Sequence, residues 1–358
     1  MKFLIIGLVA GIALGFAPWW PHRTGTELYP EWHGSLAYLN EIEPTAHPAL
    51  AARALPPIAL GNTLVVLAAT GAERSRFDLG ESHAAASRDG RFLVRYEKVG
   101  KSVEYLNMAG EPFWKLRSLE YPHISPNGKL VLLLNGDQTR VRFVDNNGNE
   151  IGAKEASGRL CTQIAFAKRT DRACVAFLDG SWLVVDARGE IRASGVLPGN
   201  PPIKSAAVSD GGAFAALHYG GAKHDCVAVV RTDDKKIKVI ELSSAHLTRT
   251  GLFVSDDGSV AVIDREAVLV TEGFSRRGES IRIPARRPGH ARIDRSAGLY
   301  VASYTRETGE AAWLLFRPDG TVLMHRELPE ESFLDCHIED GLMLLRGSRT
   351  LQCYSVRS

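Results

Sequence analysis

The sequence is short of reactive features. It has five cysteines in 358 residues and no CxxC pair, so zinc-ribbon and thioredoxin-like chemistry have no basis. Cys161, Cys174, Cys226, Cys336 and Cys353 each lie in an apolar stretch, as small buried hydrophobes do; one disulfide stays open for an oxidising compartment. An excess of one charge is also missing. The 43 Lys and Arg are matched by 41 Asp and Glu, too even a balance for a dedicated nucleic-acid binder. P-loop, GxSxG and HExxH signatures are absent, and DNNGNE at Asp145–Glu150 lacks the twelve-residue ligand ladder of a calcium loop. No long 3.6-residue periodicity follows Ala54, which argues against α/β architectures. What is present is an ordinary globular balance, 45% hydrophobic and 23% charged, with 34 glycines. That combination excludes disorder for the bulk of the chain and points to many turns between short strands.

A long hydrophobic run occurs once, at the start. MKFLIIGLVAGIALGFA places Lys2 before an apolar stretch with no further charge until His22 and Arg23. This is the order of a secretory signal or an N-terminal anchor. Residues 3–20 are just long enough to cross a bilayer as a helix, with Trp19 and Trp20 at the interface. The reading is a retained anchor helix over residues 1–20, with a cleaved signal, cut before Phe16, as the alternative. In either case the remainder lies outside the cytoplasm. Residues 21–60 hold Pro21, Pro30, Pro44, Pro48, Pro56 and Pro57 and read as a tether, because proline disfavours long helices and ladder strands. A short helix fits near Pro48–Ala54, and Trp32 and Tyr38 are the side chains expected to pack the tether onto the following domain.

Residues 61–358 repeat. One phrase is a strand, a polar turn ending in Gly, and a second apolar strand: HAAASRDGRFLVRY, HISPNGKLVLLL, AAVSDGGAFAALHY, LFVSDDGSVAVID, ARIDRSAGLYVASY and CHIEDGLMLL, with IAFAKRTDRACVAFL as a degenerate copy. Between these lie second hairpins such as VRFVDNNGNEIGAK and WLLFRPDGTVLMH, whose Asn-Gly and Asp-Gly steps are hairpin punctuation. Two hairpins per unit make four strands. Seven units of about 42 residues fill the region, the period of a propeller blade. Such sheets have two apolar faces and bury both only by radial stacking. The expectation is an all-β seven-bladed propeller over 61–358, with six or eight blades left open because the strand Leu64–Ala69 is unassigned. The last unit lacks an outer strand, and Ser75–Leu79 is the segment expected to complete it as a clasp between the termini.

SPNGKLVLLL at Ser125–Leu134 followed by FVDNNGNEI at Phe143–Ile151 resembles the repeat of WD-repeat-like propellers of the TolB type. The resemblance extends over about 61–358. It implies a propeller that serves as a platform for protein partners.

Candidates for chemistry are sparse. His218, His224 and Asp225 in HYGGAKHDC weigh as a metal site against a surface loop, and the loop is favoured because no further ligand is indicated. His83, His123 and His337 differ in phase along the first strand and are not expected to converge in the central channel. The stretch Arg276–Arg295 carries seven Arg against two acidic residues. Arg286, Arg287 and His290 fall in a link between blades, and Lys223, His224, His246 and Arg249 fall in same-face loops of the preceding blades. These seven residues form the expected partner-binding rim, suited to an acidic protein surface or an anionic ligand.

The functional expectation is a membrane-anchored, extracytoplasmic, non-enzymatic interaction platform in a bacterial envelope complex. It contacts protein partners there and the membrane through its N-terminal segment, and it takes no nucleic acid, cofactor or metal. The alternatives are a propeller hydrolase or lyase acting on a glycan or lactone, and a binding sensor for an anionic polymer. Clustered carboxylates and histidines at the channel mouth would favour the enzyme.

Overall fold

The computed structural model describes residues 26–357 apart from 46, 98–100, 153–155, 222, 248, 266, 275–280, 285–290 and 307. The expected anchor, 1–20, lies outside the described residues. No helix among those described is long and apolar enough to cross a membrane.

The described strands form eight antiparallel sheets, one more than the repeat count predicts. The strand left over in that count belongs to the extra blade. Thr63–Leu67 pairs with Ile58–Leu60 on one side and Glu73–Asp78 on the other, giving a three-stranded first blade. Six four-stranded blades follow within 83–117, 121–151, 161–196, 203–241, 252–284 and 291–328. The eighth contains Leu334–Glu339, Leu342–Gly347 and Thr350–Arg357. Its outermost strand is not Ser75–Leu79, which is committed to the first blade. Glu27–Ser35 fills the place, pairing antiparallel with the C-terminal strand from Glu27↔Arg357 to Ser35↔Thr350. The stretch expected as a tether therefore supplies the closing strand. Proline is compatible with it because the strand is an edge, and the register shifts between Pro30 and Trp32.

The burial pattern explains the architecture. Second and third strands such as Leu130–Leu134, Ala173–Phe177, Phe214–Tyr219 and Ala311–Phe316 are buried on both faces. First strands are half-exposed toward the channel, and fourth strands are largely exposed. Eight apolar clusters result, and each fills the seam between two successive blades. Val94, Tyr105, Val131 and Leu133 join blades 2 and 3; Ala176, Trp182, Leu217 and Ala228 join blades 4 and 5. The seam that closes the ring joins Leu344, Leu351 and Cys353 of blade 8 to Val65, Leu67 and Ala69 of blade 1. Trp32 and Ile42 of the N-terminal segment cover this seam, and the Trp32 indole N–H donates to Ala69 O at 2.8 Å. Tyr38, the other expected packing residue, is 58% exposed. The short helix is present as Pro48–Ala51.

Repeated Ser-x-x-Gly turns set the strand phase. In Ser125–Gly128 the Ser125 hydroxyl accepts the Leu130 N–H at 3.0 Å and donates to Asp171 at 2.6 Å, and Gly128 takes φ of +76°. A side chain at Gly128 would also strike the Phe92 ring. This turn needs Gly for conformation and for space.

Candidate functional site

The up-and-down order of each blade sorts its connections onto two faces. Links between blades and the turns between second and third strands share one end of the channel, the loop face. The turns between first and second and between third and fourth strands share the other, the turn face.

The loop face carries the expected rim. Lys223 and His224 are exposed between the second and third strands of blade 5; His246 and Arg249 lie in the link to blade 6. Asp225, buried beside His224, ties these two loops together. It receives the Lys204 ammonium at 2.7 and 2.9 Å, the His246 backbone N–H at 3.1 Å and a ring nitrogen of His218 at 2.7 Å. Lys204 also donates to His246 O at 2.6 Å. His246 in turn contacts Asp264 at 3.1 Å, and Asp264 accepts the Ser243 N–H at 2.8 Å. Burial drives the His218 pKa down to about 4, so its ring is neutral at pH 7. Burial raises the Asp225 carboxyl, but the hydrogen bonds from Lys204, the His246 N–H and His218 together outweigh it and the net shift is downward. The His218–Asp225 contact is thus a structural hydrogen bond that fixes a loop. Among the described residues no three His, Cys, Asp or Glu groups converge to hold a metal. Arg286, Arg287 and His290 lie outside the described residues.

The pinned link holds its next residue, Leu247, fully in solvent. Below it lies an open cleft of about 700 Å³ bounded by Leu160, Leu178, Pro202, Lys204, Leu247 and Arg249. Leu160, Leu178 and Leu247 are all exposed, and they come from the approach to blade 4, its central turn, and the blade 5–6 link. Arg249 reaches over the channel mouth and donates to Thr162 O of blade 4 at 3.0 Å. Solitary exposed leucines are common but grouped ones around a concavity are not, which makes this cleft the candidate contact surface.

The turn face holds a second cluster that the sequence reading did not anticipate. Lys168 of blade 4 crosses the channel to form an ion pair with Asp294 of blade 7. Arg88 of blade 2 pairs with Glu339 of blade 8 at 3.0 Å, and Arg169 of blade 4 with Asp256 of blade 6 at 2.6 Å. His337 alone of the three first-strand histidines lies here, with Nδ1 3.7 Å from Asp294. His123 instead borders a cavity near the loop face, and His83 is exposed against Tyr96. Burial lowers the Lys168 pKa to about 8, with Arg88 adding to the effect. Burial raises the Asp210 carboxyl beside it, and burial and then Arg88 lower His337. The cluster pairs each named cation with a carboxylate, which suits closure of the channel more than turnover. Its sequence signal was the Lys168-Arg169 and Arg88-Asp89 placement in the turns.

A family model described as a β-propeller protein matches residues 2–267. No curated protein sequence matches the chain. Among solved structures the chain is similar to the dihydro-heme d1 dehydrogenase NirN, solved in complex with DHE, at 14% identity and TM-score 0.59, over 85% of this chain and 74% of that one. It is also similar to BamB from Moraxella catarrhalis, at 12% identity and TM-score 0.52, over 84% and 94% of the two chains. At these identities the likeness concerns the fold.

Proposed function

The chain belongs to the β-propeller protein family, and on that premise we propose that it is a non-enzymatic interaction platform. Residues 1–20 anchor it in a membrane, and the propeller faces the extracytoplasmic side. The observation that carries the reading is the loop-face cleft: three exposed leucines around a concavity, Leu247 on a link pinned by the Lys204–Asp225–His246–Asp264 network and Leu178 tied to Leu160 by its N–H, which donates to Leu160 O at 2.9 Å. Pre-ordered loops lower the entropy cost of association. The bordering Arg249, whose guanidinium donates to the Thr162 carbonyl, favours a partner segment that is apolar with an acidic flank.

The test places a photo-crosslinking residue at Leu247 or Leu178 in cells, with Lys129 and Arg188 on the turn face as comparison positions. The proposal expects one protein to be crosslinked from both leucine positions and from neither comparison position. Leu247→Asp should abolish the Leu178 crosslink. Equal crosslinking from both faces, or none from the leucines, rejects the platform.

A propeller hydrolase or lyase is the second reading, supported by the Asp294, His337, Glu339 and Asp210 cluster. Its observable is hydrolysis or elimination of a glycan or lactone that is lost in Asp294→Asn and retained in Leu247→Asp.

A further inference from the structure

Behind the cleft, the channel wall encloses a cavity of about 230 Å³ between the first strands of blades 4 to 7. Its polar lining is Gln163, Ser205, Arg249, Thr250 and Arg292. Two arginines from different parts of the ring, Arg249 and Arg292, border this small space. Arg249 gives one N–H to Thr162 O and has no carboxylate partner among the described residues. Arg292 lies 3.1 Å from Asp335. These three groups leave one positive charge in excess. Gln163 donates its amide nitrogen to Ile164 O at 3.2 Å, while its Oε1 is buried without a donor. The Ser205 hydroxyl has only long contacts, 3.4 Å to His218 Nδ1 and 3.4 Å to Thr250 O.

Fixed positive charge calls for an anion, and planar guanidinium forks match carboxylate geometry. The unmet Gln163 acceptor calls for a hydroxyl or amine on the same ligand. The volume corresponds to on the order of eight water-sized groups at about 30 Å³ each. We propose that the channel binds a small hydroxycarboxylate, with its carboxylate between Arg249 and Arg292 and its hydroxyl donating to Gln163. Arg249 also borders the outer cleft, so an occupied channel alters the surface a docked partner meets. The binding itself does not depend on the platform reading.

The probes are L-lactate and L-malate, with propionate and inorganic phosphate as comparators, titrated calorimetrically into the full chain. Lactate or malate is expected to bind with Kd of about 1 mM or tighter. Arg249→Gln and Arg292→Gln should each weaken binding about tenfold or more, the loss expected for a charged hydrogen-bond pair. Lactate should exceed propionate, and Gln163→Leu should remove that difference. Circular dichroism confirms that the variants are folded, and Arg249→Lys, which keeps the charge without the fork, should weaken binding less than Arg249→Gln. The inference is overturned if neither hydroxy acid binds at that level, if binding survives both Arg→Gln changes, if propionate equals lactate, or if phosphate alone binds. Leu247→Asp should leave acid binding unchanged, so failure of the platform and failure of this site are separable.

Discussion

Replacing Trp32 by Ala tests whether the N-terminal strand closes the ring. Trp32 is 6% exposed, packs in one cluster with Val65, Leu67, Leu351 and Cys353, and donates its indole N–H to Ala69 O at 2.8 Å. The change removes most of a large side chain from the seam between the last blade and the first, and it leaves a buried carbonyl without its donor. Truncations of this kind cost about 3–5 kcal/mol. Unfolding entropy near 60 °C is about 2.1 cal/mol/K per residue, so for a chain of this length that cost lowers Tm by about 4–7 °C if the ring melts as one unit. Trp32→Phe keeps most of the apolar area and loses the donor, for about 1–2 kcal/mol and about 2 °C. Tyr38→Ala, at a position 58% exposed, should move Tm by about 1 °C or less. The assay is thermal denaturation followed by far-UV circular dichroism and by tryptophan fluorescence. The reasoning is refuted if Trp32→Ala and Tyr38→Ala melt together, or if Trp32→Phe is as damaging as Trp32→Ala.

Three further outcomes follow from the same geometry. Acidification from pH 6.5 toward 4 should destabilise the fold, because His218 is held neutral and its pKa is lowered to about 4. The unfolded chain then binds the proton and the folded chain does not, so stability is full above the unfolded value and is lost on the way down, by about 3 kcal/mol. His218→Gln should flatten that part of a stability–pH curve, and a parallel curve would contradict the assignment. Lys168→Met should cost about 3 kcal/mol by stranding Asp294 in the channel, and adding Asp294→Asn should recover part of it in denaturant titrations; additive losses would show that the pair does not couple across the channel. Crosslinking yield at Leu178 should fall as salt rises from 0.05 to 0.3 M, since the Debye length shortens to below about 10 Å over that range; a salt-insensitive yield would remove Arg249 from recognition.

The fold was legible in the sequence where turns repeat. SPNG, SDGG and SDDG each mark a connection between a first and a second strand, and the apolar runs LVLLL and WLVV are interior strands. The blade count failed at the N-terminal edge. Thr63–Leu67 was visible as a strand, but its companions Ile58–Leu60 and Glu73–Asp78 lack the Ser-x-x-Gly phrase that marked the other blades. The closing strand was hidden by Pro30, which has no N–H to give a ladder and is accommodated because the strand is the sheet's edge and its register shifts between Pro30 and Trp32. Of the seven expected rim residues, four are among those described. His246 and Arg249 were placed on one face by strand order alone, and the structure adds that Asp225 joins their loop to Lys223 and His224. The cross-channel pairs were not legible, because Lys168 and Asp294 meet only through ring curvature that depends on the number of blades.

The two partners of the closing seam lie at opposite ends of the chain, and this orders events during synthesis. Glu27–Ser35 leaves the ribosome roughly 320 residues before Thr350–Arg357, to which it pairs. At roughly 5–20 residues per second the early strand waits about 15–65 s with its backbone edge unmatched. By the end of that interval seven blades can stack, but the ring stays open at one gap. A nascent chain is therefore most exposed to edge-to-edge pairing just before Thr350–Arg357 emerges. Two chains at that stage have the geometry to exchange their first strands, each completing the other's last sheet, and slow release or high local concentration shifts the product from closed single rings to strand-exchanged pairs.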